Sequence, residues 1–403
     1  MQPNQRPIHK AWSFVLFVFL LSITSSCVEA VAPEFDFQDD LIIIDALAST
    51  AAGTSYATVQ QTSYEFGLYR SKTISGCTVT LVNADTQERE SLFESEGSYI
   101  SDPSFKVETK SRWYIEVQLP NGQTFKSSVE TTPEEVEIQA IKENFNLEMI
   151  YDEGSEDYTS GHEIRIDFND PADQRNFFFY QYRAYEQELY CKLCEYGVYR
   201  NGECLSQIDN PALTKEYYTY LCDVPCWKIS YNQDINIFSD EFANGKTVED
   251  LLVAKVPFTS NQDILVEVLQ LNVSQDAYKH FRTIKDLVDN NSGFNAPLPA
   301  ALIGNFTDVN DPEQIALGRF TAAAATTETL FIRRSLRSEP LSGDLKSPQP
   351  EILGDPIPQP LTYMAPCIES IYRTSDLEAE RLRYFQGTSI IEGFHRTNTP
   401  QTP

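Results

Sequence analysis

Apolar and polar side chains alternate in several stretches of the chain, which is the pattern of β-strands with one buried face. Residues 226–230 and 235–238 are two such stretches. Residues 264–271 form a longer run rich in β-branched side chains, and we expect it to be a central strand. Asn244 and Gly245, between these runs, are typical turn residues. The pattern predicts a mainly β protein.

Short alternating segments also recur at roughly ten-residue spacing near the start of the chain. They are residues 73–82, 98–100, 114–117 and 124–126. Regular short strands of this kind predict a β-sandwich over residues 37–133. The order of these segments is similar to immunoglobulin-like and carboxypeptidase-regulatory-like modules, and that resemblance implies a domain that binds a ligand or acts as a spacer.

A second, larger β-rich domain is predicted for residues 134–335. Residues 163–168 alternate, and residues 176–182 form an aromatic strand. One helix is expected over residues 274–289, because Ser274 is a suitable N-cap and apolar side chains recur at helical spacing behind it. Those apolar residues are Ala277, Phe281, Ile284 and Val288. We expect this helix to pack on the sheet of the second domain.

Several short motifs in this region occur together in one known family. They are Asp170-Pro171, Asn176 with three aromatic residues, Cys226-Trp227, Phe238-Ser239-Asp240, Asn244-Gly245, Val256-Pro257-Phe258 and Val266-Glu267-Val268. In this order they resemble the domain of unknown function 4249 family, which comprises exported lipoproteins of Bacteroidota. The resemblance extends over roughly residues 42–332. It implies an outer-membrane location and, because family members are often encoded beside TonB-dependent transporters, a transporter barrel as partner.

The first 26 residues have the composition of a signal peptide. Basic residues precede a 13-residue apolar run, Ala11 to Ile23, and small residues follow it. The run is too short to span a bilayer, which takes about 20 apolar residues. We therefore expect cleavage before Cys27, acylation of Cys27 as the membrane anchor, and a tether over residues 27–36. Ordinary secretion with an incidental Cys27 is the alternative.

Seven cysteines follow Cys27, and five of them lie within 36 residues. Six are candidates for disulfides: Cys191, Cys194, Cys204, Cys222, Cys226 and Cys367. Export favours disulfides, although the spacing would also suit a zinc site, and unpaired thiols are a third alternative. Cys77, on a predicted strand, is expected to be buried and free. Six cysteines permit fifteen pairings, and the family resemblance implies that Cys367 reaches back to Cys222 or Cys226.

Residues 336–403 differ in composition from the rest of the chain. Seven prolines lie between Pro340 and Pro366, which predicts an extended segment rather than another packed domain. A short helix is expected at residues 377–384, with Ser375 and Glu378 as a capping box. This tail either reaches a partner or is a frayed end.

Acidic residues outnumber basic residues by 59 to 31, and the formal net charge is −28. This balance argues against nucleic acid as a partner and against electrostatic docking on anionic lipid. Side chains at Asp167, Asn169, Asp170 and Asp173 would suit a calcium cage. However, neither a glycine nor a closing glutamate follows at calcium-loop spacing, and turn formation explains the same residues. We therefore expect no metal.

No catalytic motif is recognisable in the sequence. His162, His280 and His395 are isolated from one another, and His280 is expected on the surface of the predicted helix. We predict no cofactor and no enzymatic activity, with a carboxylate-pair hydrolase as a third alternative. The expected function is a non-catalytic binding or accessory lipoprotein, and a structural or adhesive surface lipoprotein is the other candidate.

Tyrosines that precede Cys222 are the predicted partner contact, because exposed aromatic side chains are common anchors of interfaces. The candidates are Tyr217 and Tyr218. Tyr218 and Tyr220 share one face at period two, so a strand that buries both is the other interpretation.

Overall fold

The computed structural model describes residues 41–65, 68–152, 156–188, 190–195, 197–206, 218–232, 234–290, 303–339, 363–385 and 394–398. These residues are mainly in β-strands, as the alternating pattern predicted. In the described part of the chain, no helix is long and apolar enough to cross a membrane.

The strands of the first third of the chain are short. They are β1 (Ile42–Ser49), β2 (Tyr56–Glu65), β3 (Leu68–Thr73), β4 (Thr78–Asn83), β5 (Arg89–Ser95), β6 (Ser98–Ile100), β7 (Arg112–Gln118), β8 (Thr124–Ser127) and β9 (Glu130–Thr131). The middle third contains longer strands. They are β10 (Ile138–Asp152), β11 (Asp157–Asn169), β12 (Phe177–Gln187), β13 (Tyr190–Glu195), β14 (Gly197–Arg200), β15 (Glu203–Ser206), β16 (Tyr218–Val224), β17 (Trp227–Tyr231) and β18 (Asn236–Ser239).

The last third contains two helices as well as strands. Its strands are β19 (Thr247–Pro257), β20 (Ile264–Asn272), β21 (Ile303–Asp308), β22 (Ile315–Leu317), β23 (Phe320–Ile332), β24 (Tyr363–Met364), β25 (Arg373–Thr374) and β26 (Phe394–Asn398). Its helices are α1 (Gln275–Asn290) and α2 (Ala379–Phe385), with 3-10 turns at Asp240–Phe242 and Arg334–Leu336.

Strand β1 joins early and late parts of the chain. It pairs antiparallel with β2 and parallel with the start of β23, where Ala46 is opposite Phe320. Strand β21 likewise pairs with β8, where Phe306 is opposite Ser127. Strands from the ranges 37–133 and 134–335 therefore share hydrogen-bonded ladders. The division into two domains and the sandwich form of the first remain predictions.

Strand β23 also pairs with a second group of strands, which consists of β12, β17, β18 and β20. Beyond Ala323 it leaves β1, and from Ala324 to Ile332 it pairs antiparallel with β20. Strand β20 pairs with β12, which pairs in turn with β17 and β18. The predicted run 264–271 is thus a central strand, confirmed within the β20 boundaries.

A three-stranded sheet of β10, β11 and β19 packs against one face of this group. Its inward side chains include Ile164, Ile166 and Phe168, and the opposing side chains on β12 include Phe178 and Tyr180. Phe168 and Phe178 meet edge to face with ring centroids 5.1 Å apart. Full burial of such side chains stabilises the fold by about 2 kcal/mol each.

Helix α1 begins and ends within one residue of its predicted bounds and packs on the sheet as expected. The Ser274 hydroxyl accepts the Ala277 N–H at 3.2 Å, which caps the helix. Ala277 is fully buried, whereas Val288 is 65% exposed. The apolar side chains of α1 therefore pack on the sheet mainly in the first half of the helix, and the second half has less contact with the sheet.

The predicted strand 73–82 is interrupted. Strand β3 ends at Thr73 and β4 begins at Thr78, and Gly76 between them has a φ of +76°. Positive φ is incompatible with a continuous strand, and glycine allows it. Cys77 therefore lies in a turn rather than along a strand, and it is half-buried and free.

Residues 363–385 return to the second group of strands. Strand β25 pairs with β17, where Thr374 is opposite Trp227. The predicted short helix is present as α2, but its capping box is not formed, because the Ser375 hydroxyl and backbone N–H both donate to Glu369. Residues 340–362, which contain most of the Pro-rich run, lie outside the described residues.

Candidate functional site

The outer face of strands β12, β20 and β23 is covered by helices at its two ends. Along β12, Phe178, Tyr180 and Tyr182 point into the core between the sheets. Because side chains alternate along a strand, the odd-numbered residues 177–185 lie on the outer face. This face changes character from apolar to polar and back to apolar along its length.

Helix α1 covers the first apolar end. The Phe281 ring stacks on Phe179 with ring centroids 4.3 Å apart, and Tyr278 lies against Phe177. The Ser274 hydroxyl that caps the helix donates to Glu130 Oε2 at 2.8 Å. The start of α1 is thus fixed both to the sheet and to β9.

Helix α2 covers the second apolar end. Leu377, just before the helix, and Phe385, its last residue, are buried against Tyr185 and Leu265. Phe385 also meets Phe331 edge to face, with centroids 5.3 Å apart. These contacts fix the helix on the sheet although it has only seven residues.

Between the two helices the face is polar and open, and it forms the floor of a cleft of about 700 Å³. The floor residues are Gln181 and Arg183 on β12, Glu267 and Leu269 on β20, and Thr327 and Thr329 on β23. The volume is in the range of about 300–1,000 Å³ that is typical of small-molecule sites. Because paired strands are rigid, these hydrogen-bonding groups are held in place before any ligand arrives.

One wall of the cleft comes from α2. Arg381 Nη2 lies 3.0 and 3.2 Å from the two carboxylate oxygens of Glu267, and Arg381 also contacts Glu378. The Tyr384 and Thr329 hydroxyls are 2.9 Å apart. The wall is therefore attached to the floor through polar contacts.

Another wall comes from the turn between β1 and β2 and from the start of β2, and it includes Ala52, Thr54 and Tyr56. Burial raises the pKa of the Tyr56 hydroxyl, although its hydrogen bond with Gln181 acts in the other direction. Burial also raises the pKa of Tyr185 under α2, and the charge on Glu267 adds to that effect. Both tyrosines therefore remain protonated at neutral pH, and the Tyr56 hydroxyl is a neutral polar group of the wall.

A disulfide fixes the segment that carries α2. Cys226, which precedes β17, is bonded to Cys367. Arg373 Nε, six residues further on, lies 3.1 Å from Glu188 Oε2. Covalent and ionic contacts thus place residues 367–385 along the edge of the sheet, beside the cleft.

The other four candidate cysteines are also paired in the structure. Cys191 is bonded to Cys222, and Cys194 to Cys204. All six residues therefore form disulfides, and the pairing of Cys367 with Cys226 is one of the two that the family resemblance implied. Among the described residues, no group of three or more histidine, cysteine or acidic side chains is arranged to hold a metal ion.

His162 contacts charged side chains that the sequence did not identify. It is fully buried, and its Nε2 accepts the Arg334 Nε–H at 3.1 Å. Its Nδ1 therefore carries the proton and donates to Glu143 Oε1 at 2.7 Å. Burial lowers the pKa of His162, although Glu143 opposes this effect. Because both nitrogens are occupied, the ring cannot serve as a general base in this arrangement.

His280 also differs from its predicted position on the helix surface. The ring is half-buried on α1, and burial together with the charge of Arg319 lowers its pKa to about 4. It is therefore neutral at neutral pH. His395 lies on β26 opposite Leu221.

A second cavity, of about 570 Å³, lies on the other side of β12 and includes Arg334 in its lining. Each of the three nitrogens of this guanidinium already donates a hydrogen bond. It donates to His162, to Glu186 Oε2 at 3.3 Å and to the Pro257 carbonyl at 2.7 Å. Arg334 therefore stabilises the fold rather than offering free donors to the cavity.

Four of the motifs that carried the family resemblance meet in a largely buried polar network. Asn176 N–H donates to Asp240 Oδ2 at 2.7 Å, and Asn176 Nδ2 donates to Asp170 Oδ1 at 3.0 Å. Gly245 N–H donates to the other oxygen of Asp170 at 3.1 Å. Burial raises the pKa of Asp170. The Asp-Pro, Asn-aromatic, Ser-Asp and Asn-Gly motifs therefore act together to fix the loop 239–246.

The loop 239–246 contains a solvent-exposed aromatic side chain, Phe242. Phe242 is 86% exposed, whereas Asp240 two residues earlier is 1% exposed. An exposed aromatic on a rigid loop loses little conformational entropy when a partner covers it, and such residues are common interface anchors.

Three of the four residues considered for calcium have other partners. Asp167 pairs with Lys142 and accepts the Asp250 N–H, and Asn169 Oδ1 accepts the Thr247 hydroxyl. Asp170 binds Asn176 and Gly245, as described above. These contacts join separate strands and loops, so they extend beyond the local turns that the sequence indicated.

Three predicted site residues receive little or no structural description. Cys27 and Tyr217 lie outside the described residues. Tyr218 begins β16, which pairs with β13 and β26. The cleft, in contrast, was not predicted. Its signal was present in β12, where the outward positions read Phe177 and Phe179, then Gln181 and Arg183, then Tyr185.

Comparison with known families agrees with the motif-based prediction. The family model described as Domain of unknown function (DUF4249) matches residues 28–329. No curated protein matches the chain. Because the match extends over most of the chain, the protein belongs to the DUF4249 family.

Proposed function

We propose that this protein is a cell-envelope lipoprotein that binds a small polar ligand in the cleft between α1 and α2. It acts as a non-catalytic binding or accessory subunit. The main observation in support is the cleft itself. Its polar floor interrupts an otherwise apolar sheet face, and α2, in the segment fixed by the Cys226–Cys367 disulfide, forms one of its walls. Polar groups held in place on the floor of a concave site can orient and select a small ligand, which supports a binding role.

Anchoring and location form the second part of the proposal. Cys27, after its signal-like segment, is acylated and holds the protein at the outer membrane. The partner is a TonB-dependent transporter barrel, as the family resemblance implies. Phe242 supports a contact with another protein, because it is a rigidly placed and exposed aromatic residue. Tyr217 and Tyr218 remain candidates for the same contact.

A structural or adhesive role is the second candidate, and exposed apolar side chains outside the cleft favour it. Ile368 is 73% exposed and Tyr372 is 58% exposed, close to the Cys226–Cys367 disulfide. Rigid apolar groups of this kind suit contact with another macromolecule.

The binding proposal is tested by a thermal-shift screen of small metabolites with a cleft-filling variant. Thr327→Trp places a large ring over the floor, and Thr86→Trp, in the exposed turn after β4, is the matched control. We expect compounds that raise the melting temperature of the wild type and of Thr86→Trp but not of Thr327→Trp. Equal shifts in all three proteins would place binding elsewhere. No shift with any compound would favour the structural role.

A further inference from the structure

Arg183 in the cleft floor forms no ion pair with any acidic side chain in the described part of the chain. Arg183 lies opposite Glu267 of β20 on one side and opposite Tyr231 of β17 on the other. Directly opposed side chains on adjacent strands are neighbours, with Cβ atoms about 5 Å apart. The Arg183 side chain is half-buried and lines the cleft.

The acidic neighbour of Arg183 is already occupied. Both carboxylate oxygens of Glu267 are bound by Arg381, at 3.0 and 3.2 Å. Among the described residues, no carboxylate oxygen lies within ion-pair distance of the Arg183 guanidinium. The Arg183 guanidinium forms a hydrogen bond with Tyr185, and Glu267 and Tyr231 act on it electrostatically. The positive charge of Arg183 is therefore only partly neutralised by its neighbours.

This arrangement differs from that of three other partly or fully buried arginines that pack on the same group of strands. Arg334 is held by Glu186, Arg381 by Glu267, and Arg373 by Glu188. Half-buried guanidinium groups in proteins are normally paired, because desolvated charge is costly. Arg183 is the exception among these four, and it is the one that faces an open cavity of ligand size.

A guanidinium offers parallel N–H donors whose spacing matches the two oxygens of a carboxylate or phosphate group. Partial burial strengthens such a contact by reducing solvent screening. Gln181 and Asn232, which also line the cleft, add amide groups that can bind the rest of a polar molecule. Building on the proposed binding function, we infer that the cleft binds a small organic or inorganic oxyanion, whose carboxylate or phosphate group is held by Arg183.

Titration calorimetry of the full-length oxidised protein at pH 7 tests this inference. The probes are succinate, inorganic phosphate and succinamide, the neutral counterpart of succinate. We expect succinate or phosphate to bind at one site and succinamide to bind about tenfold or more weakly. Binding of succinate alone identifies a carboxylate site, and binding of phosphate alone identifies a phosphate site. Equal binding of succinamide, or no binding of either anion, would overturn the inference.

Two substitutions separate recognition from folding. Arg183→Gln removes the charge and should weaken binding of the anion by about tenfold or more, whereas Arg183→Lys keeps the charge without the paired donors and should weaken it less. Arg112→Gln, at an exposed ion pair with Asp85 outside the cleft, is the matched control and should bind as the wild type does. Unchanged binding in Arg183→Gln would overturn the inference.

The outcomes also distinguish this inference from the broader proposal. If the thermal-shift screen finds neutral ligands that Thr327→Trp excludes and Arg183→Gln still binds, the cleft is a binding site and only the anion assignment is wrong. If Thr327→Trp binds every ligand of the wild type, the cleft is not the binding site at all.

Discussion

Arg381 Nη2 contacts both carboxylate oxygens of Glu267, at 3.0 and 3.2 Å, and so joins the last described helix to a central strand of the sheet. The two side chains are 18% and 14% exposed, respectively. The contact both attaches the cleft wall and neutralises the carboxylate beside Arg183. One ion pair thus connects the stability of the C-terminal segment with the charge of the cleft.

Glu267→Gln should therefore lower the free energy of unfolding by about 1–3 kcal/mol, because the mostly buried Arg381 guanidinium loses its buried charged acceptor and keeps only the exposed Glu378. Urea unfolding measures this change. Glu116→Gln is the control, because its pair with Arg89 is 28% and 52% exposed and should contribute at most about 1 kcal/mol. Equal losses in both variants would contradict a special role for the Glu267 contact.

The two disulfides Cys226–Cys367 and Cys194–Cys204 should differ in their contribution to stability. They close separations of 141 and 10 residues. The chain-entropy model assigns them about 5 and about 3 kcal/mol, respectively. Double Cys→Ser variants, compared by urea unfolding, should show the larger loss at Cys226–Cys367.

The same disulfide variants test the attachment of α2. Loss of Cys226–Cys367 should also make residues 363–385 more sensitive to limited proteolysis, whereas loss of Cys194–Cys204 should not. Intact-mass measurement without reductant should find three disulfides and one free thiol, at Cys77. Free thiols at Cys191, Cys194, Cys222 and Cys226 together with stoichiometric zinc would replace the disulfide assignment by a metal site.

Stability should fall as the pH decreases below about 6.5, because burial lowers the pKa of His162 from its ordinary value of 6.5. Below about pH 6.5 the His162 side chain is protonated in the unfolded chain but stays neutral in the folded protein. Lowering the pH therefore favours unfolding. Glu143 acts in the same direction at lower pH, because its hydrogen bond with His162 lowers its pKa. The positive charges of Arg334 and Arg337, which also face this site, further lower the pKa of His162.

A His162→Gln variant isolates this effect, because glutamine keeps a donor and an acceptor but does not titrate. Its free energy of unfolding should depend less on pH between about 6.5 and 5 than that of the wild type. His280→Gln, on α1, should remove a separate part of the slope, because the pKa of His280 is lowered to about 4. Identical slopes in the wild type and His162→Gln would show that the ring is not held neutral.

Much of the fold was predictable because alternation is a local property. The strand 264–271 and the helix 274–289 followed directly from side-chain periodicity. The pairing of Ala46 with Phe320 did not, because no local signal specifies which distant strand completes a ladder. The cleft also escaped prediction, since Arg183 and Glu267 become informative only when β12 and β20 are known to be neighbours. The strand predicted over residues 73–82 was wrong for the opposite reason, because its sequence alternates well although the chain turns at Gly76.

Asn176 and Phe242 should respond in opposite ways to substitution. Asn176→Ala removes a buried amide that binds Asp170 and Asn272, so the free energy of unfolding should fall by about 2–3 kcal/mol. Phe242→Ala should change it by no more than about 0.5 kcal/mol, because the ring is 86% exposed. Chemical denaturation measures both.

Phe242→Ala also tests the contact proposed for the loop 239–246. Co-purification from outer membranes after mild crosslinking should lose the barrel partner in Phe242→Ala and retain it in Val288→Ala, an exposed apolar control on α1. A partner that remains bound to Phe242→Ala would show that the loop is not the contact.

Cys27→Ala should move the protein from the membrane fraction to the soluble fraction, because stable anchoring depends on the acyl chains. Fractionation and the mass of the N-terminal peptide measure this change. A wild-type N-terminus that carries no acyl chain would exclude the lipoprotein assignment.

The most direct test of the central claim is a calorimetric titration of one ligand from the thermal-shift screen into the wild type, Thr327→Trp and Thr86→Trp. We expect one site of equal affinity in the wild type and in Thr86→Trp, and no measurable binding in a folded Thr327→Trp. Binding to Thr327→Trp with the affinity of the wild type would contradict the claim that the cleft between α1 and α2 is the functional site.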